Sequence, residues 1–360
     1  MERFETAPYE SAAKGLQSRL GRCDVETWGR IRKMSDETSR PLRIGILGAA
    51  RIAPPALIAP AKATGVAEVV AVAARDPERA RAYAQEHDIP EIAEDYEALI
   101  HHPQVEAIYN ALPPSRHADL TIAALRAGKS VLCEKPFAMN QAQAFAMSET
   151  AWARGLVLME AFHYRYHPLF ARVMEIVASG EIGEVRRMEA VFSTSIAATD
   201  TELRYDPALG GGALMDLGTY CLHWVRTVAG AEPDIRSATS VFGATGVDIS
   251  THAVLDFPRG VTAQITCDMA GSIRATLDVE GEQGMLKVVN PLAPQLGHLI
   301  EVTREGEAPR QERVSRDPTY DFQLRAFVDA VRGVRPALTG GDDAVAQMAA
   351  LDAIKAAARA

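Results

Sequence analysis

The apolar and polar positions of the first half of the chain follow one rhythm, in which short apolar runs alternate with longer stretches of helical spacing. The apolar runs cover residues 42–48, 69–74, 105–111, 130–133 and 156–160. Continuous apolar runs of this length indicate strands that are buried on both faces, as in parallel sheets. Strands that alternate with helices therefore predict a doubly wound parallel sheet over residues 41–162.

The pattern changes after residue 162, where strands with two-residue alternation come to dominate. A helix over 168–178, a strand over 186–192 and a glycine-rich turn with a helix over 210–228 come first. Six further strands lie between residues 237 and 303, and two helices follow over 320–334 and 343–358. Strands of this kind pair antiparallel and leave one face to be covered. Residues 163–360 are therefore predicted to form an α+β domain with a large, mostly antiparallel, open sheet.

The composition is that of a globular protein with more than one domain. Hydrophobic residues make up 48% and charged residues 24% of the 360 residues, a length too great for one ordinary core. The net charge of −9 argues against a nucleic-acid partner, because phosphate binding needs a basic surface. The sequence holds neither a long apolar run nor the apolar region of a secretory signal, so we expect no membrane segment and no export.

The cysteines and the N-terminal residues add two expectations. The four cysteines are scattered and form no CxxC pair, so we expect reduced thiols in the cytoplasm and no metal site. Residues 1–40 precede the first strand as an N-terminal arm or extension. Residues 1–33 are either an amphipathic arm that packs on a neighbouring subunit or an extension from an upstream start codon, and the sequence leaves both open.

The most informative motif, Cys133-Glu134-Lys135-Pro136, stands at the carboxyl end of the fourth apolar run. Ligands of open parallel sheets bind just outside the carboxyl ends of the strands. Proline lacks the N–H that would continue the ladder, so the strand ends at Lys135. The stiff backbone is therefore expected to hold the Lys135 ammonium at the rim of a cleft, where it can act on a ligand.

The turn after the first strand is a candidate dinucleotide-binding loop. Gly48 ends the strand, and Ala50, Arg51 and Ile52 lead into the next helix. A G-x-G-x-x-G fingerprint would lie here, but alanine replaces its second and third glycines. The physical requirement is a tight turn that brings backbone N–H groups close to a pyrophosphate, and alanine still permits a fairly close approach. The context therefore favours a dinucleotide site over a merely structural turn.

The end of the second strand bears on which dinucleotide binds. NAD-binding proteins place a carboxylate there to hold the ribose 2′-hydroxyl, whereas this chain has Ala74 and Arg75. A guanidinium at this position suits a bidentate contact with the 2′-phosphate of NADP. We therefore expect NADP as the cofactor, with NAD as the alternative. In the alternative reading, Arg75 solvates the strand end and pairs with Asp76.

A second chemical cluster follows the three glycines at 210–212, which let the backbone approach a ligand closely. Asp216, Tyr220 and His223 are spaced to share one face of the following helix. The carboxylate can orient the tyrosine hydroxyl, and the Lys135 ammonium would lower the pKa of the phenol and make it a competent acid/base. The alternative is an ordinary amphipathic helix in which Tyr220 and His223 complete the core.

Together these motifs resemble the Gfo/Idh/MocA family of NAD(P)-dependent oxidoreductases, which includes glucose–fructose oxidoreductase and inositol dehydrogenase. Glu134-Lys135-Pro136 and the glycines before Asp216 carry the resemblance, and segments 112–117 and 165–168 add to it. It implies an N-terminal Rossmann domain in which Lys135 contacts the reacting hydroxyl and the nicotinamide ribose. Many members have histidine at the position of Tyr220. The tyrosine resembles the glucose–fructose oxidoreductase and dihydrodiol dehydrogenase branches, where it is the proposed acid/base.

The expected site consists of three sets of residues. The catalytic residues are Lys135, Tyr220 and Asp216. The cofactor is expected to contact loops at the sheet edge through Gly48, Ala50, Arg51, Ile52, Ala74, Arg75, Leu112, Pro113, His117, Glu134, Lys135 and Arg165. A capping or packing role is favoured over catalysis for His117. The substrate is expected to contact Lys135, His163, Tyr164, Arg204, Asp216, Tyr220 and His223.

The expected function is NADP-dependent hydride transfer between nicotinamide and a hydroxyl or carbonyl carbon of a sugar or related cyclic polyol. Residues 41–162 would bind the dinucleotide, and residues 163–360 would bind the substrate and form a homodimer or homotetramer through the open sheet. An aldose–aldose oxidoreductase with tightly held NADP and a dihydrodiol or ketosugar reductase are the alternatives among enzymes. An NADP-binding sensor, which would bind the dinucleotide without turnover, is the non-enzymatic alternative.

Overall fold

The first half of the chain folds into a six-stranded parallel sheet, as the alternation predicts. The structure is a computed structural model that describes residues 40–199 and 201–360. The strands run in the order β3-β2-β1-β4-β5-β6. They are β1 (Leu42–Leu47), β2 (Ala67–Ala73), β3 (Glu91–Ile92), β4 (Ala107–Asn110), β5 (Ser130–Cys133) and β6 (Leu158–Glu160). Because the order reverses between β1 and β4, a crevice opens at the carboxyl ends of these two strands.

Helices cover both faces of this sheet. They are α1 (Ala59–Thr64), α2 (Pro77–His87), α3 (Tyr96–Ile100), α4 (His117–Arg126) and α5 (Gln141–Arg154). Neighbouring residues of β1, such as Ile46 and Leu47, belong to different apolar clusters, so each face has its own core. The helix after the glycine loop is preceded by a π-helical turn at Pro54–Ile58, so regular α-helix begins only at Ala59.

The second half forms an eight-stranded sheet in the order β14-β13-β12-β11-β7-β10-β9-β8. Its strands are β7 (Val185–Ser193), β8 (Asp234–Phe242), β9 (Asp248–Asp256), β10 (Thr262–Asp268), β11 (Arg274–Gly281), β12 (Gly284–Val289), β13 (Leu299–Arg304) and β14 (Arg310–Glu312). All neighbours pair antiparallel except β7 and β10, which pair parallel. The prediction of a large, mostly antiparallel sheet is therefore confirmed.

One helix precedes the second sheet in the chain, one lies between its first two strands, and two more follow its last strand. The first pair is α6 (Pro168–Ala178) and α7 (Thr219–Ala229), of which α7 packs on β7. The second pair is α8 (Thr319–Val331) and α9 (Gly341–Ala357). Leu324 and Phe327 of α8 join the apolar cluster that contains Ile44 and Ile46 of β1, and α9 packs on α5. The last two helices thus return to the parallel sheet.

The expectations for the N-terminal arm concern residues outside the described part of the chain, apart from Arg40. Residues 41–360 form one compact unit by their internal contacts. The division of that unit at residue 162 stays a prediction. In the part of the chain that is described, no helix combines the length and the apolar character that crossing a membrane requires.

Candidate active site

A cleft of about 1310 Å³ extends from the glycine loop after β1 to the glycine-rich turn before α7. Both halves of the chain line it. The first does so mainly at the carboxyl ends of β1, β2, β4 and β5, and the second through His163, residues between 192 and 220, Leu292, Ala293, Gln295 and Tyr320. Fourteen of the predicted site residues line this cleft, namely Gly48, Ala50, Arg51, Ile52, Ala74, Arg75, Leu112, Pro113, Glu134, Lys135, His163, Arg204, Asp216 and Tyr220. The structure therefore brings most of the predicted site together.

Lys135 stands where the two halves meet. Its Nζ atom donates hydrogen bonds to Oδ1 of Asp216 at 2.7 Å and to the Asp216 carbonyl oxygen at 2.9 Å. The same nitrogen lies 4.9 Å from the centre of the Tyr220 ring. An amine from the end of β5 and a phenol from α7 thus face one cleft, as the sequence predicts.

Asp216 is a carboxylate between two cations. Its Oδ2 atom accepts a hydrogen bond from Nε of Arg204 at 2.6 Å, on the opposite side from Lys135. Burial would raise the pKa of Asp216, but Lys135 and Arg204 outweigh burial and hold the pKa below its usual range. The carboxylate is therefore charged and fixed through both of its oxygens.

The pKa of Tyr220 is raised overall, whereas the sequence analysis expects the Lys135 ammonium to lower it. Burial raises the pKa of Tyr220 well above 10, and Tyr320, Glu134 and Asp216 act in the same direction. The physical reason is that the phenol lies on a helix packed into the core, where desolvation penalises the phenolate. Tyr220 is therefore a neutral phenol that can donate a proton.

A π-helical turn at Leu214–Gly218 precedes α7 and changes the predicted face of this helix. Asp216 and Tyr220 line the cleft, but His223 does not. The Nε2 atom of His223 contacts Oδ2 of Asp343 at 2.9 Å, and its ring stacks on Phe162 at 4.1 Å. The three side chains do not share one face, because His223 is three residues beyond Tyr220 on α7 and packs in the core against Asp343 and Phe162.

Tyr164 and His223 do not take the predicted positions for substrate contacts. Tyr164 is fully buried, and its hydroxyl is hydrogen bonded to Nδ1 of His223. Neither side chain lines the cleft, because both pack beneath Phe162 in the core. The structure corrects these two assignments.

His117 and Arg165 also lie outside the lining of the cleft. The buried ring of His117 contacts the carbonyl oxygens of Pro136 at 3.0 Å and Leu112 at 2.6 Å. It therefore packs against two loops that form the cleft, in line with the favoured packing role but not with a cofactor contact. The guanidinium of Arg165 lies over the ring of Phe170 at 5.6 Å. Both predicted cofactor contacts are corrected, because these side chains turn toward the protein interior.

His163 lines the cleft in its neutral form. Burial, with further contributions from Lys135 and His167, lowers the pKa of His163 to about 3. Its Nδ1 atom is hydrogen bonded to Oγ1 of Thr319 at 2.7 Å, and its ring lies 4.2 Å from that of Tyr320. A neutral imidazole can either donate to or accept from a hydroxyl group.

Tyr320, Arg79 and Glu202 are among the cleft residues that the sequence analysis missed. Tyr320 opens α8, Arg79 lies in the first turn of α2, and Glu202 precedes a short helical turn. Arg79 could have been found, because it follows Arg75 by four residues and lies in the first turn of the helix after β2. Tyr320 and Glu202 carry no motif, and only the fold brings them to the cleft.

The glycine loop fits a dinucleotide. Gly48 has a φ of +97°, and a Cβ atom at this position would lie 2.9 Å from the side chain of Leu112. Nη2 of Arg79 donates to the Ala49 carbonyl oxygen at 2.7 Å, so one guanidinium is tied to the loop while Arg75 lines the cleft beside it. A tight glycine turn with two nearby cations suits a bound phosphate group. In the described residues, no group of three or more His, Cys, Asp and Glu side chains is placed to hold a metal ion.

Comparison with known proteins identifies the class to which this fold and site belong. Residues 42–162 match the model of an oxidoreductase family with an NAD-binding Rossmann fold, and residues 170–287 match the Gfo/Idh/MocA C-terminal domain. The chain belongs to the Gfo/Idh/MocA family. It is therefore an oxidoreductase, which argues against the sensor alternative.

The relatives include enzymes that act on diols and on sugars. Pig trans-1,2-dihydrobenzene-1,2-diol dehydrogenase is 38% identical over 225 residues, covering 62% of this chain and 67% of its own. The dTDP-3,4-didehydro-2,6-dideoxy-α-D-glucose 3-reductase of Streptomyces violaceoruber is 36% identical over 301 residues, with coverage of 82% and 87%. KijD10, a 3-ketoreductase from Actinomadura kijaniata solved with NADP and TDP-benzene, superposes with a TM-score of 0.83 at 30% identity over 88% of this chain and 98% of its own.

Proposed function

We propose that this chain is an NADP-dependent oxidoreductase that transfers a hydride between nicotinamide and a hydroxyl or carbonyl carbon of a sugar or related cyclic polyol. The observation that carries the proposal is the position of Lys135, whose Nζ atom lies 4.9 Å from the Tyr220 ring in a cleft that reaches the glycine loop. The names of the relatives, which are dehydrogenases and reductases of diols and sugars, support it.

The protein supplies orientation and proton transfer for this reaction. The bound nicotinamide would exchange the hydride, and residues around Gly48, Ala50, Arg51 and Glu134 would hold the cofactor. Tyr220 exchanges a proton with the reacting oxygen of the substrate. Lys135 uses two of its three N–H groups on Asp216, so the third is left to donate to the same substrate oxygen.

Carbonyl reduction is the direction that the site favours. A phenol whose pKa is raised by burial stays protonated, so Tyr220 is ready to donate a proton to a carbonyl oxygen. Oxidation of an alcohol would first require the phenolate. A ketosugar or dihydrodiol reductase is therefore the favoured form of the proposal. An aldose–aldose oxidoreductase would carry its cofactor through purification, and the absorbance of the purified protein tests that alternative.

The second substrate-binding group is His163. Because Nδ1 of its neutral ring is held by Thr319, Nε2 is the atom left to bind a hydroxyl of the substrate. A neighbouring hydroxyl beside the reacting carbon, as in diols and sugars, would fit such a contact.

A matched pair of tyrosine variants tests the proposal. We expect Tyr220→Phe to lower the turnover number by about 10²- to 10⁴-fold, because the acid/base group is removed. Tyr166→Phe, which removes a hydroxyl bonded to Thr339 away from the cleft, should keep the turnover number nearly unchanged. Steady-state kinetics with ketosugars, aldoses, inositols and dihydrodiols and both nicotinamides would measure these values. Wild-type turnover by Tyr220→Phe would refute the role of Tyr220.

The cellular setting belongs to the proposal as well. We place the enzyme in the cytoplasm, because Cys133, Cys221 and Cys267 are buried free thiols. We also assign it a homodimer or homotetramer, which the open face of the large sheet would form.

A further inference from the structure

Five charged side chains of alternating sign cross the cleft from the glycine loop to the catalytic lysine. They are Arg51, Glu202, Arg204, Asp216 and Lys135. Glu202 accepts from Nη2 of Arg51 at 3.4 Å and from Nη1 of Arg204 at 2.9 Å. Nε of Arg204 donates to Oδ2 of Asp216, and Oδ1 of Asp216 accepts a hydrogen bond from Nζ of Lys135. Each carboxylate therefore has a cation on both of its oxygens.

We propose that Arg204 and Glu202 are positioning residues, which hold Asp216 and through it the ammonium of Lys135. The proposal deepens the proposed function and rests on it, since it concerns the same lysine and the same substrate oxygen. It replaces the sequence-based expectation that Arg204 is a substrate ligand.

The first argument is the use that Arg204 makes of its guanidinium. Two of its three nitrogens are engaged by carboxylates, at 2.6 Å on Asp216 and 2.9 Å on Glu202. A planar guanidinium fixed through two nitrogens has little rotational freedom. It therefore fixes the plane of the Asp216 carboxylate, and this plane sets the direction of the free N–H of Lys135.

The second argument is burial of the chain of charges. The side chains of Glu202, Asp216 and Lys135 are only 11%, 16% and 14% exposed. Charges that are this far removed from water attract one another more strongly than surface pairs do. Loss of one cation would leave its neighbouring carboxylate free to rotate or to take a proton.

The third argument is the backbone of segment 204–206. The N–H of Gly211 donates to the Asp206 carbonyl oxygen at 2.9 Å, and the N–H of Gly212 donates to the Arg204 carbonyl oxygen at 2.9 Å. A Cβ atom at position 211 would overlap the Arg204 carbonyl oxygen. The glycine-rich turn that leads to α7 thus holds the backbone of Arg204 directly, so Arg204 and Asp216 share one rigid support.

Three variants and a matched control test the proposal. Arg204→Gln removes the positive charge. Arg204→Lys keeps the charge but cannot hydrogen bond to both carboxylates through a planar guanidinium. Glu202→Gln removes the negative charge that binds Arg204. Arg236→Gln breaks an exposed ion pair with Asp256 on the large sheet and serves as the control.

We expect Arg204→Gln to lower kcat by about 10- to 100-fold, with the KM of the substrate changed less than about threefold. Arg204→Lys should recover part of kcat, and Glu202→Gln should lose less than Arg204→Gln.

The pH profile separates positioning from a merely structural role. Asp216 faces Lys135 and Arg204 as cations, and Glu134 and Tyr220 as further titratable groups. Arg204→Gln removes a cation that holds the pKa of Asp216 low. The acid limb of the pH profile of kcat/KM should therefore move to higher pH in Arg204→Gln and stay in place in Arg236→Gln. A raised KM with unchanged kcat and an unmoved acid limb would make Arg204 a substrate ligand and overturn the proposal.

A measurement that needs no substrate tests the positioning role of Arg204 independently of the proposed function. The carboxylate of Asp216, with its lowered pKa, contributes stability that is lost as the pH falls. This loss occurs below about pH 4, because the pKa of Asp216 is lowered from 3.8. The difference between the melting temperatures at pH 7 and pH 3 should therefore be smaller in Arg204→Gln than in the wild type. Equal differences in the two proteins would count against the positioning role. If the wild type turned over none of the substrates named above, the proposed function would fail while this measurement still decided the role of Arg204.

Discussion

Arg75 illustrates how a single cation at a strand end can select a cofactor. It lies two residues after the end of β2, lines the cleft, and is followed four residues later by Arg79 in the first turn of α2. A 2′-phosphate bound here would gain charge-assisted hydrogen bonds that a 2′-hydroxyl cannot make. We therefore expect the preference of the protein for NADP over NAD to depend on the guanidinium of Arg75.

Arg75→Ala should lower kcat/KM for NADPH by about 10- to 100-fold, because a hydrogen bond between charged groups is lost. The kcat/KM for NADH should change little, since its 2′-hydroxyl carries no charge for the guanidinium to bind. Steady-state kinetics with each cofactor would measure both values, and Arg126→Ala, at the exposed end of α4, is the control. An equal loss of kcat/KM for the two cofactors would show that Arg75 does not bind the 2′-phosphate.

Chemistry at the residue scale was predictable where a motif stands next to a strand or helix end. Lys135 could be placed because the proline after it ends a buried strand, and Asp216 because it follows three glycines. The pKa of Tyr220 could not be predicted, since it depends on how much water the folded core excludes. Glu202 and Tyr320 could not be found either, because they come to the cleft from distant parts of the chain.

The glycine-rich turn at residues 210–212 contacts the backbone of Arg204 and leads to α7, which carries Tyr220. We expect Gly211→Ala to lower kcat by about 10-fold or more, because the new Cβ atom would push away the backbone of Arg204 and misplace Asp216. Gly340→Ala is the matched control, since a Cβ atom there would approach nothing closer than the Ala337 carbonyl oxygen at 3.8 Å. Steady-state kinetics of both variants checks the expectation. Equal kcat values in the two variants would contradict it.

Asp343 links α7 to α9 through His223 and Arg226. Its Oδ2 atom contacts Nε2 of His223 at 2.9 Å, and its Oδ1 atom accepts from Nη2 of Arg226 at 3.2 Å. Burial alone would raise the pKa of Asp343, but its contacts with His223 and Arg226 lower it to about 2. The carboxylate therefore stabilises the folded chain at neutral pH.

Asp343→Asn should lower the free energy of unfolding at pH 7 by about 2 kcal/mol, the stability that a pKa lowered from 3.8 to about 2 represents. A lowered carboxylate pKa contributes stability above the unfolded pKa, and this contribution is lost as the pH falls from about 4 to about 2. The difference between the variant and the wild type should shrink over that range. Denaturant unfolding at several pH values would measure it, with the exposed Asp88→Asn as control. A difference that did not depend on pH would contradict the assignment.

At the element scale, the strands and the long helices with a clear apolar stripe were predictable. The helix α6 was predicted with its observed ends, and β7 within one residue at each end. The helix α5 gave no clear signal, because Phe145 and Trp152 are 53% and 73% exposed and blur its apolar stripe. The strands β3 and β14 are too short to show alternation. The parallel pairing of β7 with β10 has no local signal, since only the path of the chain decides it.

The whole molecule presents the large sheet with one covered face and one open face. In β9 the buried residues Ala253 and Leu255 alternate with the partly exposed His252 and Val254, and the same alternation runs through β10. A broad sheet face of this kind is a surface on which two copies can associate with two-fold symmetry. The proposed oligomer would therefore depend on the whole sheet and on no single motif.

We expect Val254→Glu to shift the protein toward monomers, because it places charges opposite each other in the proposed interface. Val334→Glu, on an exposed loop after α8, should leave the oligomeric state of the wild type unchanged. Light scattering at micromolar protein concentration would measure the mass of both variants. A wild-type protein that is monomeric under these conditions would refute the proposed interface.

The π-helical turns at Pro54–Ile58 and Leu214–Gly218 have a consequence for protein engineering. A π turn differs from an α turn by the equivalent of one inserted residue. Deletion of one residue from the second turn would turn the side chains on its two sides by about 100° relative to each other. Asp216 and Tyr220 would then point in different directions, although every functional group would still be in the chain. Transfer of this site to another scaffold must therefore copy the wide turn together with the side chains.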